Sequence, residues 1–381
     1  MLVSQDWLKE YVSLPDHDEM VDRLTMTGLN HEGSEAVGND TCIDLEVTSN
    51  RADCLGHVGV AREVSALFTE PLRIPPAELN TAAPAIDQNF AVEIQCPELC
   101  YRFTARLIRG VKIGPSPQWL VDRLATVGVE SVNNIVDISN YVMLECGQPL
   151  HAFDYDRLQG NKIIVREPHS GEKLEAINHN TYDLQPGMCV IADGNRAVGL
   201  GGVMGGAETE VSDNTVNVLI EAAHFNPLSI RATARKLNLH SAASFRFERT
   251  INSENIDWAS RRCCELLQQL AGGEIADGFI DVGAKLEPRQ PIRLRFAQLD
   301  RILGIEIPRD RAVEILESLG FARCLTKSIG GKAGSGGISL SVNTAEFSEQ
   351  VKDQLLESDA DEVTVIPPPW RLDVTREVDL I

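Results

Sequence analysis

Residues 131–154 read SVNNIVDISNYVMLECGQPLHAFD. Ile135, Ile138, Val142 and, a step later, Cys146 recur at roughly helical spacing, which predicts a buried helix. Gly147 supplies the left-handed residue that ends helices, and Pro149 prevents resumption. His151 then falls in a short turn, with Phe153 to anchor it and Asp154 beside it. Ser139 and Asn140 are polar residues in an otherwise apolar helix, and such groups need buried partners or a wet pocket. Two readings of His151 stay open from this stretch alone. It is a satisfied core histidine, or one member of a site whose other members lie elsewhere in the chain.

The chain has 381 residues, too many for one ordinary core, so two or three domains are expected. Its formal charge of −21 argues against a general nucleic-acid coat, so any RNA contact must use a local basic patch. The nine cysteines include Cys96 and Cys100, four apart, and the adjacent Cys263 and Cys264. Neither arrangement has the matching second half of a zinc site, and reduced thiols are the simplest reading. The opening MLVSQDWLKEYV has early charges and no apolar signal core, and no run approaches the length of a membrane span. A soluble, cytoplasmic chain with no membrane partner is expected.

Outward from the opening stretch, the N-terminal side predicts two small amphipathic helices. Trp7, Leu8, Tyr11 and Val12 share one face; Met20, Leu24 and Met26 follow, and Gly28 closes the second helix. Ile43, Leu45 and Val47 alternate as a strand, and the loop SNRADCLGH leads into a helix with Val60, Val64 and Leu67. The Pro- and Ala-rich segment 71–84 reads as a linker. Strands are expected over Val92–Ile94 and Phe103–Ile108 by alternation. Ser116 is placed as N-cap and Pro117 as first residue of a helix burying Trp119, Leu120, Leu124 and Val127. Residues 162–220 are rich in short strands separated by Gly- and Asn/Asp-rich turns. Helices are expected from Ser229 to about Leu239 and from Asp257 to Ala271, stopped by Gly272 and Gly273. Beyond residue 290, IRLRF is a strand, AQLDRILG a short helix, and RDRAVEILESLGF an amphipathic helix with Ala312, Ile315, Leu316 and Leu319 inside. A Gly/Ser-rich and then acidic stretch, 327–362, reads as a flexible insertion between two strands.

Five features invite chemistry. GLGGVMGG, residues 199–206, lacks the Lys-Ser/Thr of a nucleotide loop and is not a strand-to-helix dinucleotide turn. Its glycines fit a tight turn, or a pocket wall where backbone approaches a ligand closely. Glu221 is an acid embedded in the apolar run VLIEAAHF. It is either ion-paired with a nearby arginine or a pocket carboxylate facing a ligand hydroxyl. The loop HSAASFRFERT, residues 240–250, has small polar residues fit to line a cavity and no G-x-S-x-G elbow, so water is the better nucleophile for any hydrolysis. Residues 226–262 carry seven arginines and lysines against three acids, a local contrast that points to an anionic partner or to a solvated face. Asp373 and Asp379 lie six apart, as an exposed acidic strand or as part of a hard-cation site.

Taken together, TSNRADCLGHVGVARE, VDISNYVMLECGQPLHAFD, GLGGVMGG, VLIEAAHF, SIRATARKLNLHSAASFRFER and PPPWRLDVTREVDL resemble the bacterial phenylalanine–tRNA ligase β-subunit family. They occur in the family's order over most of residues 1–320 and 364–381. The resemblance implies an α+β, multidomain chain. Residues 1–75 would be a small α/β domain and 92–275 a mixed α/β tRNA-editing domain. Residues 291–369 would be a winged-helix-like unit with the acidic insertion, and 370–381 the start of a synthetase-like core. It implies a catalytic α subunit, in an α2β2 assembly, that uses ATP and Mg²⁺ to attach phenylalanine to tRNA(Phe). On this chain it implies hydrolysis of Tyr-tRNA(Phe). Asn140 and His151 would place the attacking water or ester; Ser139, Gly205, Ser241 and Ala243 would line the pocket; Glu221 would read the tyrosine hydroxyl. Asp373 and Asp379 would begin a Mg²⁺ site.

The chain departs from the family pattern in four places. No OB-type tRNA-binding insertion separates Glu32 from the strand at Ile43. Ser241 stands where Thr is usual, and Ala242 replaces an acid. The insertion 327–362 is unusual, and the two glutamates that would complete the Mg²⁺ site would come directly after Ile381, where the sequence stops, so a truncated product or a fragment of the subunit is expected. The competing expectation is a non-catalytic RNA-binding or assembly module with a vestigial pocket.

Overall fold

The computed structural model describes residues 1–82, 84–88, 90–284, 288–324 and 361–381. All but the last two residues of the expected acidic insertion lie outside this set. The chain is α+β and multidomain.

The first elements are β1 (Leu2–Ser4), α1 (Gln5–Tyr11), α2 (His17–Met26), β2 (Asn30–Val37), β3 (Asp40–Glu46) and α3 (His57–Phe68). The three strands form an antiparallel sheet in the order β1-β3-β2. Ser4 caps α1, its Oγ accepting from Trp7 N at 3.0 Å, which turns Trp7, Leu8 and Tyr11 inward. Met26, expected beside Met20 and Leu24, is instead 85% exposed. It lies two residues beyond Leu24, about 200° round the helix. β2 was not foreseen, because NHEGSEAV has no apolar alternation and its residues are exposed or half-buried; the ladder to β3 holds it.

Next come β4 (Thr81–Ala82), β5 (Ala91–Ile94), β6 (Cys100–Arg109), α4 (Gln118–Thr126), α5 (Asn134–Cys146), β7 (Leu150–Asp154), β8 (Lys162–Arg166), β9 (Lys173–Glu175) and β10 (Thr181–Asp183). β11 (Val190–Ala192), β12 (Ala197–Leu200), β13 (Met204–Gly205), β14 (Asn217–Phe225), α6 (Pro227–Leu237), α7 (Ala242–Phe247), α8 (Ile256–Leu270), β15 (Glu274–Ala276) and β16 (Ile280–Gly283) follow. β4-β15-β6-β14-β7 form one sheet, with β16 also on β6, and β13-β12-β11-β8-β5 form another. Side chains alternate along β14. Val218 and Ile220 join α5 and α8 in one core, while Leu219 and Phe225 join the second sheet in another. The β6–β14–β7 sheet is therefore the middle of three layers.

α4 departs from the expected cap. Pro117, not Ser116, precedes the helix, and Ser116 Oγ donates to Asp137 Oδ2 at 2.5 Å. Trp119 is 39% exposed, its ring edge against Tyr141, so Leu120 and Leu124 carry the burial. Residues of 71–82 run against the body: Arg73 N donates to Tyr11 O at 2.8 Å and Trp258 Nε1 to Pro75 O at 2.9 Å. One apolar core joins α1, α2 and α3 to α4, α5 and α8. Within it Tyr11 Oη donates to Glu145 Oε1 at 2.7 Å and Arg262 Nε to Glu145 Oε2 at 3.2 Å, tying the three helices α1, α5 and α8.

The last elements are β17 (Ile292–Arg295), α9 (Phe296–Leu303), α10 (Arg309–Ser318), β18 (Ala322–Arg323) and β19 (Glu362–Ile366). β19 pairs with both β17 and β18. Ala312 and Leu316 are buried from α10, whereas Ile315, expected inside, is 39% exposed. Val374 is buried in this third core, with Leu380 and Ile381 against it. No helix among the described residues is long and apolar enough to cross a membrane.

Candidate active site

α5 is fixed at both ends. Asn133 Oδ1 accepts from Ile135 N and Val136 N at 3.1 and 3.0 Å, and Gly147 ends the helix at φ 82°. Ile135, Ile138 and Val142 are fully buried beneath it. His151 then lies in β7 rather than in the expected turn. Strand pairing overrides the local turn signal there, because β7 runs antiparallel along β14 with His151 directly opposite Glu221. Directly paired side chains share a face with Cβ atoms roughly 5 Å apart. Phe153 and Leu219, fully buried on that same face, anchor the two strands. Each contributes about 1.5–3 kcal/mol by burial, which offsets the polar pair beside them.

The face opens into a cavity of about 350 Å³ between the two sheets. Ser139 and Asn140 of α5 line one side, His151 and Glu221 the floor, Gly205 another wall, and Ser241 and Ala243 the start of α7. Every pocket residue expected from the sequence thus borders one space. The segment 240–250 is not a loop throughout: Ser241 caps α7, its Oγ accepting from Ser244 N at 3.0 Å and donating to Val203 O at 2.7 Å. Its hydroxyl is thereby committed to structure. Ser139 Oγ similarly donates to Val136 O at 2.7 Å. Sequence reasoning missed Met143, Ile177, Met204 and Glu210, which also line the cavity; none stands in a pattern that distinguishes wall from core.

Glu221 is only 7% exposed, and no described arginine pairs with it, which removes the ion-pair reading. Burial raises its pKa to about 8. Burial also lowers His151 to about 4, and His151 Nε2 is buried without a hydrogen-bond partner. Gly205 is needed for this geometry. A Cβ there would stand 2.2 Å from His151 Cε1 and 2.6 Å from Nε2. Gly205→Ala is expected to push the ring from its place and to destabilise the fold by about 1–3 kcal/mol. Thermal melts would read the loss; an unchanged melting temperature would mean that the ring moves freely.

The basic segment resolves into separate roles. Arg246 is buried and donates to Leu55 O and Ala242 O; Arg249 pairs with Glu248, Arg261 with Asp257, and Arg262 with Glu145 and Glu265. Arg231, Arg235 and Lys236 of α6 remain exposed. Asp373 accepts from Arg371 Nε and Nη2 at 2.9 and 3.0 Å, and Asp379 accepts from Thr375 N and Arg376 N at 3.0 and 2.9 Å. Among the described residues no further His, Cys, Asp or Glu gathers with them as a metal-ligand group. Asp53, Cys54 and Glu63 do gather, but Arg51 Nη2 fills the space among them, donating at 2.9, 3.1 and 2.6 Å.

The B3/4 domain model matches residues 99–272, which carry the cavity, and the tRNA synthetase B5 domain model matches residues 292–381. The phenylalanine–tRNA ligase beta subunit of Rhodopirellula baltica is 49% identical over all of this chain and 51% of its own length. The chain belongs to the phenylalanine–tRNA ligase beta-subunit family. The beta subunit of Moorella thermoacetica is 47% identical over 76% of this chain and 36% of its own length. The chain thus spans about half, or less, of these beta subunits. The crystal structure of an N-terminal fragment of the phenylalanyl-tRNA synthetase beta subunit from Pyrococcus horikoshii shares the fold. It aligns at a TM-score of 0.50 with 13% identity, over 100% of this chain and 96% of that fragment.

Proposed function

We propose that this beta-subunit chain hydrolyses the ester of tRNA(Phe) wrongly charged with tyrosine. Glu221 carries the reading. A carboxyl group buried at the cavity without a protein partner costs free energy until a ligand pairs with it. With its pKa near 8 it is mostly protonated at neutral pH, so it both donates and accepts. A phenol does the same. Tyrosine completes both bonds, and phenylalanine leaves Glu221 unpaired.

The chemistry falls to water. His151 near pKa 4 is a neutral imidazole at pH 7 and a weak base. Its unpartnered Nε2 and the Asn140 amide are suited to hold a water against the ester carbonyl rather than to remove a proton outright. Gly205, Ser139, Ser241 and Ala243 shape the wall. In this reading residues 92–275 are the editing unit, flanked by 1–75 and 291–369. Attachment of phenylalanine, with ATP and Mg²⁺, belongs to a separate alpha subunit in an alpha2-beta2 assembly. The test is single-turnover release of tyrosine from Tyr-tRNA(Phe). Release above the spontaneous rate is expected; no release from the folded chain favours a non-catalytic RNA-binding or assembly module.

Glu221 also sets a pH dependence. The folded chain keeps its proton to about pH 8, whereas the unfolded chain releases it near the ordinary 4.5. Stability from this group therefore falls as pH rises between those values and is level above them. Glu221→Gln should gain on the wild type in thermal melts across that window. A gap independent of pH would mean that the folded and unfolded chains bind this proton alike.

A further inference from the structure

The titratable groups lining the cavity are His151, Glu210 and Glu221, and the lining contains no lysine or arginine. Glu210 follows the single turn Ala207–Thr209 that leaves β13, five residues after Gly205. It is half-buried, and among the described residues no side chain is seen to pair with its carboxylate. Its neighbour Glu208 is taken up by Arg196 at 2.6 Å. Glu221, nine-tenths buried, and the orphaned His151 Nε2 border the same space. The cavity therefore has one acid placed for a hydroxyl, a second acid without a partner, and no cation.

An aminoacyl ester has a second polar handle. Its α-ammonium sits one carbon from the carbonyl, so a carbonyl held beside His151 brings the ammonium to the same end of the cavity. We propose that Glu210 receives the α-ammonium of the aminoacyl ester and so fixes which face of the carbonyl meets the water. This rests on the editing reading for the identity of the ligand. The cavity then selects aminoacyl esters over acyl esters without an amine. It also releases the product, because the new carboxylate finds carboxyl groups and no cation around it.

Calorimetry on the full chain tests this with three probes: L-tyrosinamide, its desamino analogue and L-tyrosine. Tyrosinamide should bind more tightly than either of the others. Glu210→Gln should weaken tyrosinamide by roughly tenfold or more, the worth of one charge-assisted hydrogen bond. It should leave the desamino amide unchanged, which also shows that the variant is folded. Equal weakening of both amides, no weakening of either, or failure of the wild type to bind tyrosinamide overturns the assignment. Glu210-dependent binding of tyrosinamide without hydrolysis of Tyr-tRNA(Phe) upholds Glu210 as the ammonium site and removes the editing reading instead.

Discussion

Replacing Glu221 with alanine is expected to cut the preference for Tyr-tRNA(Phe) over Phe-tRNA(Phe) by roughly a hundredfold or more in kcat/KM. Its carboxyl group borders the cavity from the centre of β14, where the ladders to β6 and β7 hold its backbone on both sides. The backbone will therefore stay in place when the side chain is removed. What disappears is the group left unpaired by phenylalanine and completed by tyrosine. Hydrolysis of the tyrosyl ester should slow, and any hydrolysis of the phenylalanyl ester should change little. Since no described arginine faces Glu221, the change strands no buried cation, and the melting temperature should hold or rise. Glu221→Gln, which still donates and accepts, should retain part of the preference. A ratio unchanged in Glu221→Ala would show that the hydroxyl is read elsewhere.

The second large effect is on rate. His151→Ala is expected to lower single-turnover hydrolysis of Tyr-tRNA(Phe) by roughly two to three orders of magnitude. His151 Nε2 has no protein partner to lose, so the substitution breaks no internal hydrogen bond at that atom. It removes the atom placed to orient water while Glu221 stays to bind the phenol. The split is diagnostic: kcat falls and KM stays near its wild-type value. A fall shared equally with the Glu221 variant, in both kcat and selectivity, would point to collapse of the cavity. Retention of full rate would remove His151 from the reaction.

Much of this site was legible because its residues break local rules. Glu221 interrupts an apolar strand, Ser139 and Asn140 interrupt an apolar helix, and five glycines crowd residues 199–206 before Ala207. Each departure needs a reason, and one cavity supplies it for all. The helix from Asn134 to Cys146 was legible from its period and from Gly147. The strand at His151 was not. Five residues after a proline show no alternation, and only the long-range ladder to β14 makes them a strand. α7 was hidden in the same way, since AASFRF reads as a loop until Ser241 is seen to cap it. Trp119, Met26 and Ile315 show that apolar residues on short helices need not turn inward when neighbours already fill the core. Glu210 carried no signal at all; an acid after a glycine turn resembles any surface acid until the cavity is seen.

Editing by this cavity is tested with two esters on the purified chain: single-turnover release of tyrosine from Tyr-tRNA(Phe) and of phenylalanine from Phe-tRNA(Phe). The tyrosyl ester should be cleaved faster by roughly two orders of magnitude or more. Equal rates for the two esters, or no release of either above spontaneous hydrolysis, would contradict it.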